Sequence, residues 1–210
     1  MNLTVIINTF NRPKVLGKCL DSLLLQSDKD FDIVVVDQST NDESALICSN
    51  YKLNYIKNSK RNLSHSRNIG IKNAKSQLVA FIDDDARADP DWVKIIKSNF
   101  KRDSKLDILA GKVVDSTLGY APKIQFRNGI VSLYGYIEDI HPLNETKYRN
   151  GNGLWLLRPM GTNMAFKKQT VINNGGFDEF YEYIHDETDI TVRILKSGGK
   201  ITYDNSLLVN

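Results

Sequence analysis

Three consecutive aspartates, Asp83, Asp84 and Asp85, follow the apolar run LVAFI at residues 78–82. Five apolar residues are too few for a good helix and are typical of a strand buried on both faces. Adjacent carboxylates repel one another, so three of them at the end of such a strand cost stability unless a positive charge lies nearby. In an extended chain Asp83 and Asp85 point to one side and Asp84 to the other. We therefore expect Asp83 and Asp85 to bind a hard cation, Mg²⁺ or Mn²⁺, with a solvated acidic turn as the alternative.

A second acidic group, HDETD at residues 185–189, opens a predicted helix. In one interpretation Asp186 caps this helix, and the positive helix end favours Glu187 and Asp189. In the other, one of these carboxylates stays ionised at pH 7 and acts as a general base. The side chains of Asp186 and Glu187 point in different directions from the start of a helix, so only one of them is expected to reach a substrate. The residues alone do not decide which.

Other polar residues are predicted at the edge of the sheet that carries the aspartates. Thr9 and Arg12 follow the first predicted strand, and Asp37 follows the second. Asp37 could accept a hydrogen bond from a nucleotide base or ribose, or it could close an Asx turn. Arg67 could neutralise a phosphate or stack on a base, with a solvated surface arginine as the alternative. Open α/β sheets bind ligands at the carboxyl ends of their strands, so these residues together predict a crevice with a nucleotide side and a metal side.

The elements that must hold these residues alternate between strand and helix. Strand patterns occupy residues 3–7, 33–36, 54–57, 78–82 and 108–114, and later 164–166, 201–203 and 207–209. Helical patterns occupy residues 13–24, 44–50, 63–75, 167–173 and 186–196, with a further helix starting at Asp89 and Pro90. This alternation predicts an α/β fold with a wound, mostly parallel sheet. The pattern fails at residues 115–158, which is typical of a substrate-binding or mobile region.

The bulk composition sets further bounds. A chain of 210 residues that is 41% hydrophobic can bury the core of one domain. A net charge of +3 is too mild to indicate nucleic-acid binding, and no apolar run approaches the ~18 residues of a membrane span. The N-terminus enters a strand pattern without the features of a signal peptide. Cys19 and Cys48 show neither metal spacing nor a disulfide framework, so we expect a cytoplasmic protein.

In combination, the motifs resemble the family 2 glycosyltransferases of the GT-A fold, and the likeness runs over almost the whole chain. Six stretches carry it in the order of the family: VIINTFNR at 5–12, VVVDQS at 34–39, SHSRNIG at 64–70, FIDDDA at 81–86, GTNMAF at 161–166 and GGFDE at 175–179. The helix that begins near Asp186 then matches the stretch with the catalytic acid pair. The resemblance implies a mostly parallel mixed sheet flanked by helices, in a single catalytic domain over residues 1–210. Residues 1–114 would bind the nucleotide-sugar, and residues 115–210 would form the acceptor side.

The resemblance also implies the reaction and the roles of the residues. A metal-dependent inverting enzyme of the hexosyltransferase type would move a sugar from a nucleoside-diphosphate sugar, with a UDP-sugar as the first choice, to a hydroxyl of a glycan or lipid-linked acceptor. Such reactions build polysaccharides or glycoconjugates, and a lipid-linked acceptor would place the protein at the inner membrane face. The implied residues are Thr9, Arg12, Asp37, Arg67, Asp83 and Asp84 for the nucleotide, Asp83 and Asp85 for Mn²⁺ or Mg²⁺, Gly161, Thr162 and Asn163 on the acceptor side, and Asp186 and Glu187 for catalysis.

Two departures from the family leave questions open. The family usually has Glu before Asp at the base position, whereas this chain has Asp186 before Glu187. We expect Asp186 to be the base, with Glu187 a near equal. Family members often place a metal-ligating histidine just beyond a strand equivalent to the last one here, so we expect the acceptor-side half to be shortened at its C-terminus.

Two rival functions use the same elements. A sugar nucleotidyltransferase also has a wound sheet and a metal, but residues 8–14 lack the glycine-rich phosphate loop that it needs. A non-catalytic module that binds a nucleotide-sugar or a glycan is the second rival. The retention of acids at both 83–85 and 186–189 argues against it.

Overall fold

The computed structural model describes the backbone of residues 1–115, 124–126, 129–132, 137–139, 155–157 and 159–210. Helices are formed by Pro13–Leu24 (α1), Glu43–Cys48 (α2), Leu63–Asn73 (α3), Trp92–Arg102 (α4), Lys168–Asn173 (α5) and Asp186–Lys196 (α6). Strands are formed by Leu3–Thr9 (β1), Phe31–Asp37 (β2), Asn54–Lys57 (β3), Leu78–Phe81 (β4), Ile108–Asp115 (β5), Ile124–Phe126 (β6), Gly129–Ser132 (β7), Ile137–Asp139 (β8), Trp155–Leu157 (β9), Met164–Lys167 (β10) and Ile201–Val209 (β11).

The main sheet is mixed and mostly parallel, which confirms the predicted fold class. Its strand order is β11-β5-β10-β4-β1-β2-β3, with β6 paired to β5. Strand β1 pairs in parallel with β2 and β4, β2 with β3, and β5 with β11. Strand β10 runs antiparallel between β4 and β5. A separate three-stranded sheet has the order β8-β7-β9.

Hydrophobic clusters cover both faces of the main sheet, because successive side chains of a buried strand point to opposite faces. On one face, Val5, Ile7 and Val35 pack with apolar side chains of α1 and α4. On the other face, Ile6 and Phe81 pack with side chains of α3, α5 and α6. This three-layer arrangement explains why the strands read as continuous apolar runs in the sequence.

The path of the chain changes direction beside β1. From β1 the chain adds β2 and β3 on one side, and it then returns to place β4 on the other side of β1. A ligand crevice is expected at such a switch point, outside the carboxyl ends of the strands. Strand β10 is antiparallel to β4, so residues 160–163 reach the sheet at this same edge.

Two details of the predicted elements differ from the structure. Helix α4 begins at Trp92 rather than at Asp89 and Pro90, because Asp89 closes a turn in which its side-chain Oδ1 accepts from the Asp91 N–H at 3.1 Å. The two predicted closing strands form one strand, β11, whose register shifts between Asp204 and Leu208. The predicted irregular region at 115–158 lies largely outside the described residues. In the described part of the chain, no helix is long and apolar enough to cross a membrane.

Candidate active site

A cavity of about 890 Å³ opens at the carboxyl ends of β1 and β4. Its wall includes residues from both predicted acidic groups and from the first strand's loop. The predicted site residues that line it are Thr9, Arg12, Arg67, Asp83, Asp85, Gly161, Asp186 and Glu187. The fold therefore brings the predicted nucleotide side and the predicted base together in one space.

Arg12 supplies the positive charge that the three adjacent aspartates require. Arg12 contacts Asp84 Oδ1 through Nη2 and Asp85 Oδ2 through Nη1, each at 2.6 Å. Thr9 Oγ1 donates to Asp84 Oδ2 at 2.6 Å. Asp84 is fully buried, and burial raises its pKa to about 6 although Thr9 and Arg12 favour its ionised form. Asp83 and Asp85 line the cavity while Asp84 points away from it, as the alternation predicted.

A strained residue directs Arg12 toward the aspartates. Asn11 has a φ of 53°, in the left-handed region that asparagine tolerates better than most residues. Its N–H donates to Ser39 Oγ at 2.7 Å, and its side-chain Oδ1 accepts from the Thr40 N–H at 3.0 Å. These bonds tie the loop after β1 to the loop after β2, so the position of Arg12 depends on both strands.

Arg67 forms a buried ion pair with Asp186. The side chains are 3% and 0% exposed, and Arg67 Nη1 donates to Asp186 Oδ2. The guanidinium also lies over the rings of Phe81 and Phe177, 5.8 and 5.4 Å from their centroids, where a cation is attracted to the ring faces. The alternative of a solvated surface arginine is therefore wrong for Arg67.

Gly161 leaves space for this arginine. A Cβ atom at position 161 would lie 2.6 Å from Arg67 Nη2, closer than a real Cβ approaches another heavy atom. The absence of a side chain at residue 161 thus lets the β10 end of the cavity close over the ion pair. The pair consequently connects α3, α6 and the segment that leads into β10.

Helix α6 starts without the predicted cap. The residue before the helix is His185, which has a φ of 70° and makes no side-chain capping bond. Asp186 is the first residue of the helix, and its side chain accepts a hydrogen bond from Arg67. The interpretation of Asp186 as the N-cap is therefore wrong. Burial raises the pKa of Glu187, and the adjacent Asp186 raises it further while Arg67 opposes the rise.

Three buried polar atoms on the cavity wall have no hydrogen-bond partner among the described residues. They are Asn8 Oδ1, Arg67 Nε and Asp186 Oδ1. Buried polar atoms in folded proteins are nearly always paired, so each exception calls for a reason. Each of these atoms is buried from solvent, so a ligand in the cavity can reach it only if neighbouring groups move.

Four predicted site residues do not line the cavity. Asp37 is buried and accepts from the Ser39 N–H at 2.8 Å and from the Tyr55 hydroxyl at 2.6 Å, which is the Asx-turn alternative. Asp84 accepts a hydrogen bond from Thr9 and forms an ion pair with Arg12. Thr162 Oγ1 accepts from the Asp83 N–H at 3.3 Å. Asn163 is fully buried, accepts from Trp92 Nε1 at 2.9 Å and donates to two backbone carbonyls, which joins β5, β11 and α4.

Several cavity residues were not singled out in the sequence. Some neighbour predicted ones on the chain, and others lie in the segment before α6. They are Asn8, Phe10, Gln38, Arg61, Asn62, Leu63, Met160, Glu182, Tyr183, Ile184 and His185. The signal for Asn8, Phe10 and Gln38 is their place at the ends of β1 and β2. The signal for Tyr183 and Ile184 is an apolar pair between charged residues ahead of a helix.

The segment before α6 is tied to the start of α3. The Leu63 N–H donates to the Glu182 carbonyl at 2.7 Å, and Asn62 Nδ2 donates to the Glu179 carbonyl at 2.8 Å. Ser64 Oγ donates to the Tyr181 carbonyl. The Glu179 carboxylate contacts Lys60 Nζ at 2.5 Å and His65 Nδ1 at 2.8 Å. These bonds fix the segment before α6 against the start of α3.

The Glu179 contacts predict an acid sensitivity. Hydrogen bonds from Lys60 and then His65 lower the pKa of Glu179 from 4.5 to about 2. A lowered pKa means that the stabilisation is present above pH 4.5 and is lost as the pH falls toward 2. We expect wild-type protein to lose more unfolding free energy between pH 6 and pH 3 than Glu179→Gln, measured by urea unfolding. The effect is modest because the pair is partly exposed, and equal losses in the two proteins would contradict it.

Comparison with known proteins places the chain in a family. Residues 4–172 match glycosyl transferase family 2, so this chain belongs to that family, as its motifs predicted. It is 23% identical to the glucosyl-dolichyl phosphate glucuronosyltransferase of Haloferax volcanii over 225 residues, covering 100% of this chain and 69% of the relative. It is 34% identical over 99 residues to the glycosyltransferase GlyA of Streptococcus pneumoniae, covering 45% of this chain but 14% of GlyA.

A solved structure with the same fold is TarS 1–349 of S. aureus in complex with UDP-GlcNAc. The TM-score is 0.68 at 20% identity, over 98% of this chain and 56% of that one. This likeness confirms the GT-A fold. The chain spans only part of the length of TarS and a small part of GlyA.

Proposed function

We propose that this chain is an inverting glycosyltransferase that moves a sugar from a nucleoside-diphosphate sugar to an acceptor hydroxyl on a glycan or a lipid-linked glycan. The observation that carries the proposal is the convergence of the triple aspartate and the Asp186–Glu187 pair on one cavity. Family membership and the UDP-GlcNAc complex of the structural neighbour TarS support it. They also favour a UDP-sugar as the donor.

The donor is proposed to lie over the carboxyl ends of β1 and β4. Thr9, Arg12 and Asp83 surround this part of the cavity, and Arg12 brings a guanidinium that can pair with phosphate oxygens in two-pronged geometry. Asn8 and Arg67 line the same cavity and add an amide and a guanidinium to its wall. Asp84 acts from behind the wall through Thr9, which lines the cavity, and Asp37 holds the turn that follows Gln38.

A divalent ion suits the donor set of this wall. In the described part of the chain, no three metal-ligating side chains cluster, but Mg²⁺ is commonly bound by one or two carboxylates together with substrate phosphates and water. Asp83 and Asp85 supply two such carboxylates. When bound, Mn²⁺ or Mg²⁺ would offset the negative charge that develops on the leaving diphosphate.

Glu187 is proposed as the general base, rather than Asp186. Asp186 is fully buried, and its Oδ2 already accepts a hydrogen bond from Arg67. Glu187 is partly exposed and lines the cavity, and its pKa is raised by burial. A raised pKa brings a carboxylate closer to the optimum for proton transfer near neutral pH.

The proposed reaction is a single displacement. The acceptor oxygen forms a bond to the anomeric carbon while its proton passes to a carboxylate oxygen of Glu187. The bond from the anomeric carbon to the diphosphate oxygen breaks, and the nucleoside diphosphate leaves with that electron pair. Attack opposite to the leaving group inverts the anomeric centre. On the acceptor side, Gly161 lines the cavity, while Thr162 and Asn163 hold the wall behind it.

A donor-hydrolysis assay tests the function. The chain is incubated with UDP-glucose, UDP-GlcNAc and UDP-glucuronate in Mn²⁺, and the released nucleotide is separated by chromatography. Slow release of UDP is expected. Formation of pyrophosphate from UTP and a sugar phosphate would indicate a nucleotidyltransferase, and binding without any release would indicate a non-catalytic module.

We predict that Asp85→Asn weakens Mn²⁺-dependent binding of UDP by about tenfold or more, because the ion loses one of two protein carboxylates. Titration calorimetry with and without Mn²⁺ measures this effect. The matched control is Asp91→Asn, an aspartate outside the cavity whose side chain is half-exposed and bonds to Ser27. Unchanged UDP binding by Asp85→Asn would show that the ion, if one is used, is held elsewhere.

A further inference from the structure

An apolar loop stands at the rim of the cavity, just before the helix that carries Glu187. Phe180, Tyr183 and Ile184 in this loop are 84%, 75% and 63% exposed. Tyr183 and Ile184 also line the cavity, while Phe180 packs edge-on against Tyr181 with ring centroids 5.5 Å apart. Three large exposed apolar side chains within five residues differ from the scattered single ones of an ordinary surface and suggest a binding role. The roles proposed above use none of the three.

The backbone of this loop is fixed although its side chains are exposed. The bonds from Asn62, Leu63 and Ser64 to the carbonyls of residues 179, 182 and 181 hold it against α3. The side chains are therefore presented on a preorganised frame, which reduces the ordering entropy that a ligand must overcome. The loop therefore presents its apolar side chains from a backbone that is held in place.

The position of the loop restricts what it can bind. A general base must lie within hydrogen-bond reach of the proton that it takes, so the acceptor hydroxyl lies beside Glu187. The rest of the acceptor must then extend over the surface around the start of α6. In the described part of the chain, Glu182, Tyr183 and Ile184 line the cavity directly before α6, and Phe180 is exposed beside them in the sequence.

The charges beside the loop favour a saccharide over a membrane. Residues 178–184 carry three acidic and no basic side chains, and Glu179 is paired with Lys60 and His65 of the neighbouring segment. An anionic lipid surface attracts basic rather than acidic segments. A sugar ring instead offers an apolar face of C–H groups, which can cover an aromatic ring, and hydroxyls, which carboxylates accept from. Apolar walls with a few polar groups are the usual composition of such sites.

We propose that Phe180, Tyr183 and Ile184 form an acceptor platform that binds the apolar face of a saccharide and brings its hydroxyl to Glu187. This inference rests on the proposed function, since it assigns the acceptor side of the same reaction. It predicts that the platform contributes to acceptor binding and not to donor binding.

The test compares Phe180→Ala and Tyr183→Ala with Leu46→Ala. Leu46 is a matched control because it is 69% exposed on α2 and does not line the cavity. Each protein is applied with UDP and Mn²⁺ to an array of neutral oligosaccharides, and UDP-sugar hydrolysis is measured in parallel. A second arm measures co-sedimentation with vesicles of phosphatidylglycerol and phosphatidylethanolamine.

A loss of about tenfold or more in apparent affinity for the array in both platform variants, with wild-type binding by Leu46→Ala, supports the proposal. Equal binding by all proteins, binding by none, or vesicle binding that depends on Phe180 overturns it. The hydrolysis measurement distinguishes failure of the acceptor platform from failure of the proposed function. If wild-type protein releases UDP and the array result is negative, the platform alone fails; if it releases none from any donor, the proposed function fails.

Discussion

Glu187→Gln is expected to lower sugar transfer by about 10²–10⁴-fold, because the amide cannot accept the proton of the attacking hydroxyl. The substitution preserves the shape of the side chain, and Glu187 is not among the residues proposed for the donor. The affinity for the nucleotide should therefore stay close to that of wild type. Single-turnover transfer and titration calorimetry with UDP measure the two quantities separately.

The matched variant Asp186→Asn should behave differently. It removes the charge that pairs with Arg67, so it is expected to lower stability as well as rate. A variant that loses transfer while keeping both stability and donor affinity marks the base. If Asp186→Asn shows that pattern and Glu187→Gln does not, the assignment reverses. If both keep wild-type turnover, the base lies elsewhere.

The raised pKa of Glu187 adds a dependence on pH. The base works only when ionised, so the rate falls as the pH drops through its pKa. Because burial raises that pKa above 4.5, the loss on the acidic side is expected at a higher pH than for an ordinary glutamate. A pH profile of the single-turnover rate tests the direction of this shift.

Arg67→Met is expected to lower the free energy of unfolding by about 3–5 kcal/mol, because it leaves the fully buried Asp186 carboxylate without its partner. Methionine keeps much of the arginine's apolar length, so the change isolates the charge. Urea unfolding followed by circular dichroism measures the loss. Arg61→Met is the matched control, since Arg61 is exposed and its contact with the Phe10 ring contributes about 1 kcal/mol or less.

The double variant Arg67→Met/Asp186→Asn separates charge from packing. Replacing both partners of a buried pair by uncharged groups costs much less than removing one. The double variant should therefore recover most of the stability lost by Arg67→Met. A double variant as unstable as the sum of the two single variants would mean that the ion pair itself contributes little.

The strands and helices of the scaffold could be predicted from the sequence because the residue patterns that indicate them are local. Buried parallel strands appear as short apolar runs, and β1, β2, β3, β4 and β5 were each predicted within a few residues. The start of α4 was misplaced because the side chain of Asp89 bonds within its own turn, a choice that Asp–Pro sequences leave open. The short strands β6 to β9 carry no comparable apolar pattern and were not predicted.

The site was less predictable because its contacts join distant residues. The environment of Arg67 depends on Asp186, 119 residues later, so neither its burial nor its partner has a local signal. Asp37 looked equally suited to a nucleotide and to an Asx turn, and Tyr55 and Lys57, on the next strand, complete its bonding. The order of the family's motifs in the sequence predicted which segments meet at the cavity. The contacts of the individual carboxylates in each acidic group could be seen only in the structure.

The guanidinium of Arg12 that bridges Asp84 and Asp85 also affects how ligands are expected to enter the crevice. Because Arg12 already compensates these carboxylates, the resting fold needs no inorganic ion to keep its acidic tip together. A chelator should thus leave the melting temperature of the ligand-free protein unchanged. The proposed ion would have to displace Arg12 from Asp85. The diphosphate of the proposed donor could accept the released arginine and make that exchange favourable, so we expect donor and ion to bind together.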